Sequence, residues 1–323
     1  MPTRVRKLGT SERSTLRIAL IGQSAFGKSV LEALVENGED EIVGVFAPPI
    51  KDGQSSDPIS NAADELGIPL FEFPKLRDKE AVDQFKSLDP ELCVMAFVTD
   101  IVPMAMINFP SLGTIQYHPS LLPLHRGPSS INWPIINGET ETGLTIFWPD
   151  QGLDTGPILM QKRVEIAPEA TLGSIYFNKL FPLGVQAMVE SVDLVRVGNA
   201  PVIAQDESKA TYESWCKAND VVIDWSAGVD TVFNMIRGAD PQPAANTTHN
   251  GISLSVYDAT RSSYGAAGHV AGAVVEVGID RIIVASSDGS IAIGRVKAAG
   301  GKKIGAAEWA ELVDLKVGDI FGG

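Results

Sequence analysis

Three stretches of the chain combine residue types that can do chemistry at spacings that let them cooperate. The first, Gly22-Gln-Ser-Ala-Phe-Gly27-Lys28-Ser29, satisfies the Walker A spelling and falls between an apolar run and an amphipathic one, where a phosphate-cradling loop belongs. A tight βα turn followed by an exposed Lys28 explains the same letters, and Asp100, which precedes Ile-Val-Pro, is a weak stand-in for a magnesium-binding Asp. The second is Gln116-Tyr-His118-Pro-Ser120-Leu-Leu122-Pro123-Leu-His125-Arg126-Gly127. A His directly after an apolar strand and locked by Pro119 is delivered at the carboxyl edge of a parallel sheet, where open α/β folds build their sites. His125 and Arg126 read as members of a solvated loop, and Trp133 as core. The third, Trp148-Pro-Asp150-Gln151-Gly152-Leu-Asp154-Thr-Gly156-Pro157, holds two carboxylates among glycines that let backbone approach a ligand closely. A carboxylate in a partly closed loop can exchange protons near neutrality, and a His and an Asp on adjacent strand ends make an acid/base couple.

The elements that must position these residues alternate as in a doubly wound α/β domain with a mostly parallel, Rossmann-like sheet. The pattern predicts strands at 16–22, 41–46, 68–71, 92–97, 113–118, 143–148 and 158–164, with helices at 27–37, 57–66, 79–87 and 129–137. A long mixed stretch with a Thr start predicts one helix over 171–197. Residues 1–15 read as a basic flexible leader, 16–198 as the catalytic domain, 199–206 as a linker and 207–323 as a small OB-like β-barrel domain. The last domain is predicted from a helix over 224–238 and short β runs at 252–257, 272–277, 281–286 and 291–296, punctuated by Gly and Asp-Gly.

Composition narrows the functions available. Of 323 residues, 44% are apolar and 20% charged, ordinary for a globular chain of about two domains. The balance of 26 Lys and Arg against 40 Asp and Glu leaves a net charge of −14, a field that repels phosphate backbones unless a local basic patch offsets it. The apolar runs fall short of the ~20 residues a membrane helix needs. Two cysteines, Cys93 and Cys216, support neither a disulfide framework nor a zinc ligand set, so a cytoplasmic setting and no bound metal are expected. The Arg-rich start lacks the apolar core of a secretory signal, although its Arg and Ser content also suits a transit peptide.

Taken together, the motifs resemble a known family. His118-Pro-Ser-Leu-Leu-Pro followed 36 residues later by Asp154 within Leu-Asp-Thr-Gly-Pro resembles the signature of the folate-dependent formyltransferases, which use 10-formyltetrahydrofolate. Ile21–Gly27, Lys51–Gly53, Asp57-Pro58, Ser129–Trp133 and Ile146–Trp148 are similar to the hydrolase domain of 10-formyltetrahydrofolate dehydrogenase. Asp224-Trp225 and Ile236-Arg237-Gly238 resemble the opening of the family's carboxy-terminal barrel, a two-domain layout shared with methionyl-tRNA formyltransferase.

The resemblance implies an enzyme that removes the formyl group of 10-formyltetrahydrofolate. His118 would stabilise the negative oxygen of a tetrahedral species, Gln116 would be a second donor, and Asp154 would shuttle the proton of the attacking group. Phe97, Val98, Thr99, Ile101, Ser120, Leu122, Pro123, Trp148, Asp150 and Gln151 would bind the folate. Gly22, Gln23 and Ser24 would border the acceptor, which reduces the P-loop to a minor alternative. Two departures stand out: relatives commonly carry Asn where this chain has Gln116, and tRNA- and hydrolase-type relatives often carry Arg where it has Leu124. Residues 206–323 hold 10 bases against 15 acids, with Lys297, Lys302 and Lys303 the one cationic cluster, so water or a small amine is expected as acceptor ahead of tRNA. A folate-binding module without turnover is the reading from outside catalysis.

Overall fold

A computed structural model describes residues 15–50, 53, 55–265 and 268–322. Most of the basic leader, together with Lys51 and Asp52 of one motif, lies outside the described residues. The chain divides into two compact units that interleave along the sequence. The first holds the chain through Arg126 with Gly143–Arg163 and Leu180–Tyr212; the second holds Gly127–Thr142, Val164–Lys179 and Glu213–Gly323.

The first unit is organised by a seven-stranded sheet built from β1 (Arg17–Gly22), β2 (Glu41–Ala47), β3 (Leu70–Glu72), β4 (Leu92–Ala96), β5 (Thr114–His118), β6 (Glu141–Phe147) and β7 (Ile158–Glu165). The spatial order is β3-β2-β1-β4-β5-β6-β7. Pairings among β1 to β5 are parallel, and β6 runs antiparallel to β5. Ile18, Ala19, Leu20 and Ile21 of β1 are all buried, as a strand covered on both faces requires. Helices α1 (Ser24–Asn37), α2 (Pro58–Leu66), α3 (Lys79–Ser87) and α4 (Met104–Ile107) return the chain between strands. Phe26, Val30, Leu31 and Leu34 make the buried stripe of α1, and Gly38 ends that helix with φ +68°, a left-handed cap that glycine adopts without strain.

Helix α5 (Asn132–Ile136) and helix α6 (Leu172–Ile175) belong to the second unit, whereas α7 (Phe181–Arg196) belongs to the first. The helix expected over 171–197 runs without a non-helical residue from Leu172 to Arg196, but it contains a π-helical turn at Tyr176–Leu180. Pro182 is the physical reason: it has no N–H to donate, and its ring would collide with the carbonyl four residues back in a regular helix. At the far end of α7, Arg196 forms an ion pair with Asp40, whose other oxygen accepts from Leu16 N at 3.0 Å. Both charged side chains are almost fully buried. Asp40→Ala leaves that guanidinium buried without its main partner, and we expect a loss of about 3–5 kcal/mol in urea unfolding. A loss under ~1 kcal/mol would show that Asp193, 2.6 Å away, satisfies Arg196 alone.

The second unit packs α8 (Val229–Ala239) and α9 (Ala306–Leu312) against an antiparallel sheet of β8 (Ala245–His249), β9 (Ile252–Arg261), β10 (Val274–Val277), β11 (Ile282–Ala285), β12 (Ser290–Ala298) and β13 (Ile304–Gly305). Ile320 and Phe321 close this sheet: Phe321 bridges His249 on one edge strand, and Ile320 bridges Ala273 beside the other. That ring of pairings is what a small barrel needs. Two motifs that lie a hundred residues apart in sequence meet here. The Asn132 amide donates to Gly238 O (2.9 Å) and Gln242 O (3.0 Å), and a Cβ on Gly238 would lie 2.6 Å from Ile136. Glycine at 238 is thus the condition for α5 and α8 to touch.

Candidate active site

The sheet order reverses direction between β1 and β4, and open α/β sheets bind ligands beyond the carboxyl ends of strands at such a point. Gln23 and Thr99 meet there, with Thr99 Oγ1 donating to Gln23 Oε1 at 3.2 Å. Residues expected on the acceptor side and on the folate side are thereby brought together. Phe97 is held at φ +60° and exposed, as are Thr99 and Ile101, while Val98 is half-buried. Ser24, at φ +58°, donates its N–H to Asp57 Oδ1 (2.7 Å), and the same oxygen caps α2.

This geometry removes the P-loop alternative. A phosphate cradle needs several loop residues between strand and helix, but β1 ends at Gly22 and α1 begins at Ser24. Lys28 lies inside α1 and pairs with Glu32 one turn on. The glycines serve packing: a Cβ on Gly22 would sit 2.8 Å from the Ala96 carbonyl. Gly22→Ala is expected to cost about 1–3 kcal/mol through overpacking against backbone, measurable by thermal or urea unfolding; no loss would mean that β4 can shift without penalty.

One strand further, Gln116 and His118 share a face of β5 because side chains two residues apart point the same way. Met95 of β4 pairs with Gln116, so His118 lies beyond the end of β4, next to the switch point. The loop after His118 is held rigid. Ser120 Oγ donates to Leu124 O (2.7 Å), and the fully buried Thr145 donates to Ser120 O while accepting from Leu122 N. Gln161 donates to Leu122 O at 2.8 Å. Ser120 and Leu122 are buried and Pro123 half-buried, and Ser120's hydroxyl and Leu122's amide fix the backbone of this loop.

The imidazole is fixed from both sides. His118 Nε2 lies 2.9 Å from the His125 carbonyl, which can only accept, so Nε2 carries a proton. Nδ1 then faces Asp154 Oδ2 at 3.7 Å, ion-pair distance and slightly beyond a direct hydrogen bond. Both side chains are buried. His125 is itself at φ +55°, a left-handed conformation that costs an ordinary residue roughly 1–2 kcal/mol. Its N–H donates to Thr211 Oγ1 at 2.7 Å, which stabilises the turn that aims the carbonyl.

The carboxylate loop is organised by its own polar groups. Asp150 Oδ1 accepts from Gly152 N (3.0 Å) and Thr155 Oγ1 (2.6 Å), so this expected folate contact acts on the turn. Trp148 lies against Gly113 and donates to Pro201 O at 2.9 Å; Gln151 is exposed. Gly156 packs so tightly that a Cβ would fall 1.8 Å from Trp148 O.

Sequence reasoning missed the residues that tie these loops together. His125 and Arg126 are not in a solvated loop: both are buried, 5% and 4% exposed. Arg126 is gripped by Glu207 at 2.6 and 2.9 Å, and by Gln205 at 2.8 and 3.2 Å. The Glu207 hydrogen bond raises Arg126 above the usual guanidinium range, and the same bond holds Glu207 below the usual carboxylate range. The pairing is therefore complete above the ordinary Glu pKa and lost as pH falls through the lowered value. Tyr212 donates to Leu153 O at 3.0 Å, its phenol pushed up by burial and then by the nearby Asp154 charge. Segment 201–212, read as a linker and the opening of the barrel, is thus hydrogen-bonded into the first unit. Among the described residues, no three His, Cys, Asp or Glu side chains gather as a metal-binding group, and no helix is long and apolar enough to cross a membrane.

A mostly parallel α/β sheet thus sets a buried imidazole against a buried carboxylate beyond its strand ends, an arrangement that can exchange protons with a bound group. The chain belongs to the formyl transferase family: residues 16–192 match the formyl transferase family and residues 216–312 match its C-terminal domain. It is 44% identical over 253 residues to the mitochondrial 10-formyltetrahydrofolate dehydrogenase of Homo sapiens, covering 77% of this chain and 27% of that protein. The chain therefore spans about a quarter of the length of that relative. It is 35% identical over 310 residues to the methionyl-tRNA formyltransferase of Trichlorobacter lovleyi, covering 94% of this chain and 96% of that one. Among solved structures, HypX from Aquifex aeolicus in complex with tetrahydrofolic acid matches with a TM-score of 0.69 at 18% identity, covering 94% of this chain and 48% of that chain. An N-formyltransferase from Helicobacter canadensis, in complex with folinic acid and dTDP-3-aminofucose, matches with 0.63 at 17% identity, covering 87% of this chain and 99% of that chain. The structural likenesses establish the fold.

Proposed function

We propose that this chain removes the formyl group of 10-formyltetrahydrofolate, passing it to water or to a small amine. The observation that supports it is the buried His118–Asp154 couple at 3.7 Å, beside Gln116 on one face of β5. The nucleophile's oxygen or nitrogen bonds to the formyl carbon, whose oxygen gains the negative charge. With both ring nitrogens protonated, His118 donates from Nδ1 to that oxygen, a contact contributing on the order of 3 kcal/mol at the barrier, and Gln116 donates as a second, weaker contact. Asp154 takes the nucleophile's proton and passes it to N10 as the carbon–nitrogen bond breaks. Water yields formate and tetrahydrofolate; an amine yields a formamide and tetrahydrofolate. Phe97, Thr99 and Ile101, exposed at the switch point, would meet the folate, and Gly22, Gln23 and Ser24 the acceptor.

Transfer to a charged tRNA is the second reading, favoured by end-to-end similarity with the methionyl-tRNA formyltransferase. Charge on the second unit weighs against it. Arg261, Arg281, Arg295, Lys303 and Lys316 each lie within ion-pair distance of an Asp or Glu. Lys303 is also packed 3.7 Å over the Tyr257 ring. Such cations are partly neutralised before any phosphate arrives. Conversion of 10-formyltetrahydrofolate to tetrahydrofolate should be followed without acceptor, with a panel of small amines and with charged initiator tRNA. Turnover without tRNA is the expected result; turnover only with tRNA selects the second reading, and none under any condition leaves a folate-binding module.

A further inference from the structure

We propose that Gln205 is a positioning residue that sets Asp154 against His118, coupling the two loops of the site through one amide. The inference rests on the proposed formyl-transfer reading for its kinetic consequence but on geometry for its cause.

Gln205 Nε2 donates to two carbonyls of the carboxylate loop, Asp154 O at 2.8 Å and Gly156 O at 2.7 Å. Its Oε1 accepts from Arg126 Nη2 at 2.8 Å and Nε at 3.2 Å. Four contacts thus satisfy the amide, and they fix its orientation, since an exchanged amide would set its NH2 against a guanidinium and its oxygen against two carbonyls. The Arg126 end is the imidazole end of the site. Arg126 follows directly on His125, whose carbonyl accepts the hydrogen bond from His118 Nε2, and its own N–H donates to Thr211 O at 3.1 Å. Glu207 grips the guanidinium by both oxygens, which gives Gln205 a rigid partner to lean on.

The loop at the other end needs such a hold. Asp154 sits at φ +58°, a conformation that costs an ordinary residue roughly 1–2 kcal/mol and that an Asp tolerates better than most. The two carbonyls that Gln205 binds flank Thr155, and one of them is the backbone carbonyl of Asp154 itself. Releasing them lets the loop relax and moves a carboxylate that is already 3.7 Å from its imidazole. Misplacement by about 1 Å can lower a rate on the order of 10²-fold.

Gln205→Glu is the discriminating variant. It keeps the size and the Arg126 contacts but replaces a donor with an oxygen facing two carbonyls. We expect kcat to fall about 10–100-fold with KM for 10-formyltetrahydrofolate within about twofold, and Gln205→Asn to fall short in the same sense because its amide cannot reach both ends. A merely structural role would cost the same factor in any background. Coupling through Asp154 predicts that Gln205→Glu costs less than about threefold once Asp154 is already Asn, a non-additivity read from the double-mutant cycle. Additive losses in that cycle overturn the proposal. A readout independent of turnover is the crystal structure of the variant, in which the Asp154–His118 separation should open by about 1 Å. An unchanged separation overturns the proposal whatever the substrate. An opened separation in a protein whose wild type leaves 10-formyltetrahydrofolate intact upholds the coupling and overturns the functional reading instead.

Discussion

Asp154→Asn is expected to lower turnover of 10-formyltetrahydrofolate by about 10²–10⁴-fold while leaving tetrahydrofolate affinity within about twofold. Asn is nearly isosteric and tolerates the φ of +58° at this position, so the loop and the Gln205 contacts to its backbone should persist. What the variant loses is the ability to take a proton. Asp154 is 5% exposed, so bulk water cannot easily substitute as the base, and the loss should show in single-turnover rates as well as in kcat. An amine acceptor that is already neutral at high pH should not recover the rate, because the proton it sheds on attack must still be carried to N10 as the carbon–nitrogen bond breaks. Wild-type turnover in Asp154→Asn would sink the assignment of the carboxylate as proton shuttle.

His118 and Asp154 were legible because local chemistry marks both. Each follows or interrupts an apolar run and is bracketed by Pro or Gly, and the strand pattern alone places them at sheet ends. Gln116 follows from His118 by the two-residue period of a strand. The mostly parallel sheet and the antiparallel sheet also leave apolar patterns in the sequence, as continuous runs in β1 and β4 and as apolar stretches in β9 and β12. β8 does not: Ala-Asn-Thr-Thr-His carries no large apolar residue, and only its partners make Ala245, Thr247 and His249 the inward set. α9, with its Ala-Ala-Glu-Trp-Ala-Glu-Leu, is short enough that a turn explains it equally well without the packing of Trp309.

The segment that ties the site together is opaque for a different reason. Gln205 sits between Ala204 and Asp206 with no periodicity, and its partners are 51 residues back at Asp154 and 79 back at Arg126. Nothing local distinguishes it from a solvated glutamine. Arg126 is similar: beside Gly127 it reads as a loop cation, and only Glu207 and Gln205 reveal it as buried. A Pro in a helix, by contrast, carries its own signal, and the π-helical turn that precedes Phe181 sits where Pro182 disturbs the regular ladder.

His118→Ala should lower turnover by about 10²–10³-fold, because it removes a donor aimed at developing negative charge. The ring's two contacts separate structure from chemistry. Nε2 is spent on the His125 carbonyl, so the group left to face substrate is Nδ1, the same atom that faces Asp154. A variant that keeps only the structural contact, His118→Gln, presents an amide donor to that carbonyl but nothing equivalent to Nδ1, and should restore stability without restoring rate. Gln116→Ala removes the second donor alone and should cost less, on the order of tenfold, since a methylene-lengthened amide holds its proton less rigidly than an imidazole pinned from both sides. If the two donors serve one oxyanion, the losses from His118→Ala and Gln116→Ala will fall short of additive in the double variant. Strict additivity would place Gln116 on a different atom, the acceptor or the pterin. Full turnover in His118→Ala, with the fold intact by unfolding, would remove the imidazole from the mechanism and leave the carboxylate to act alone.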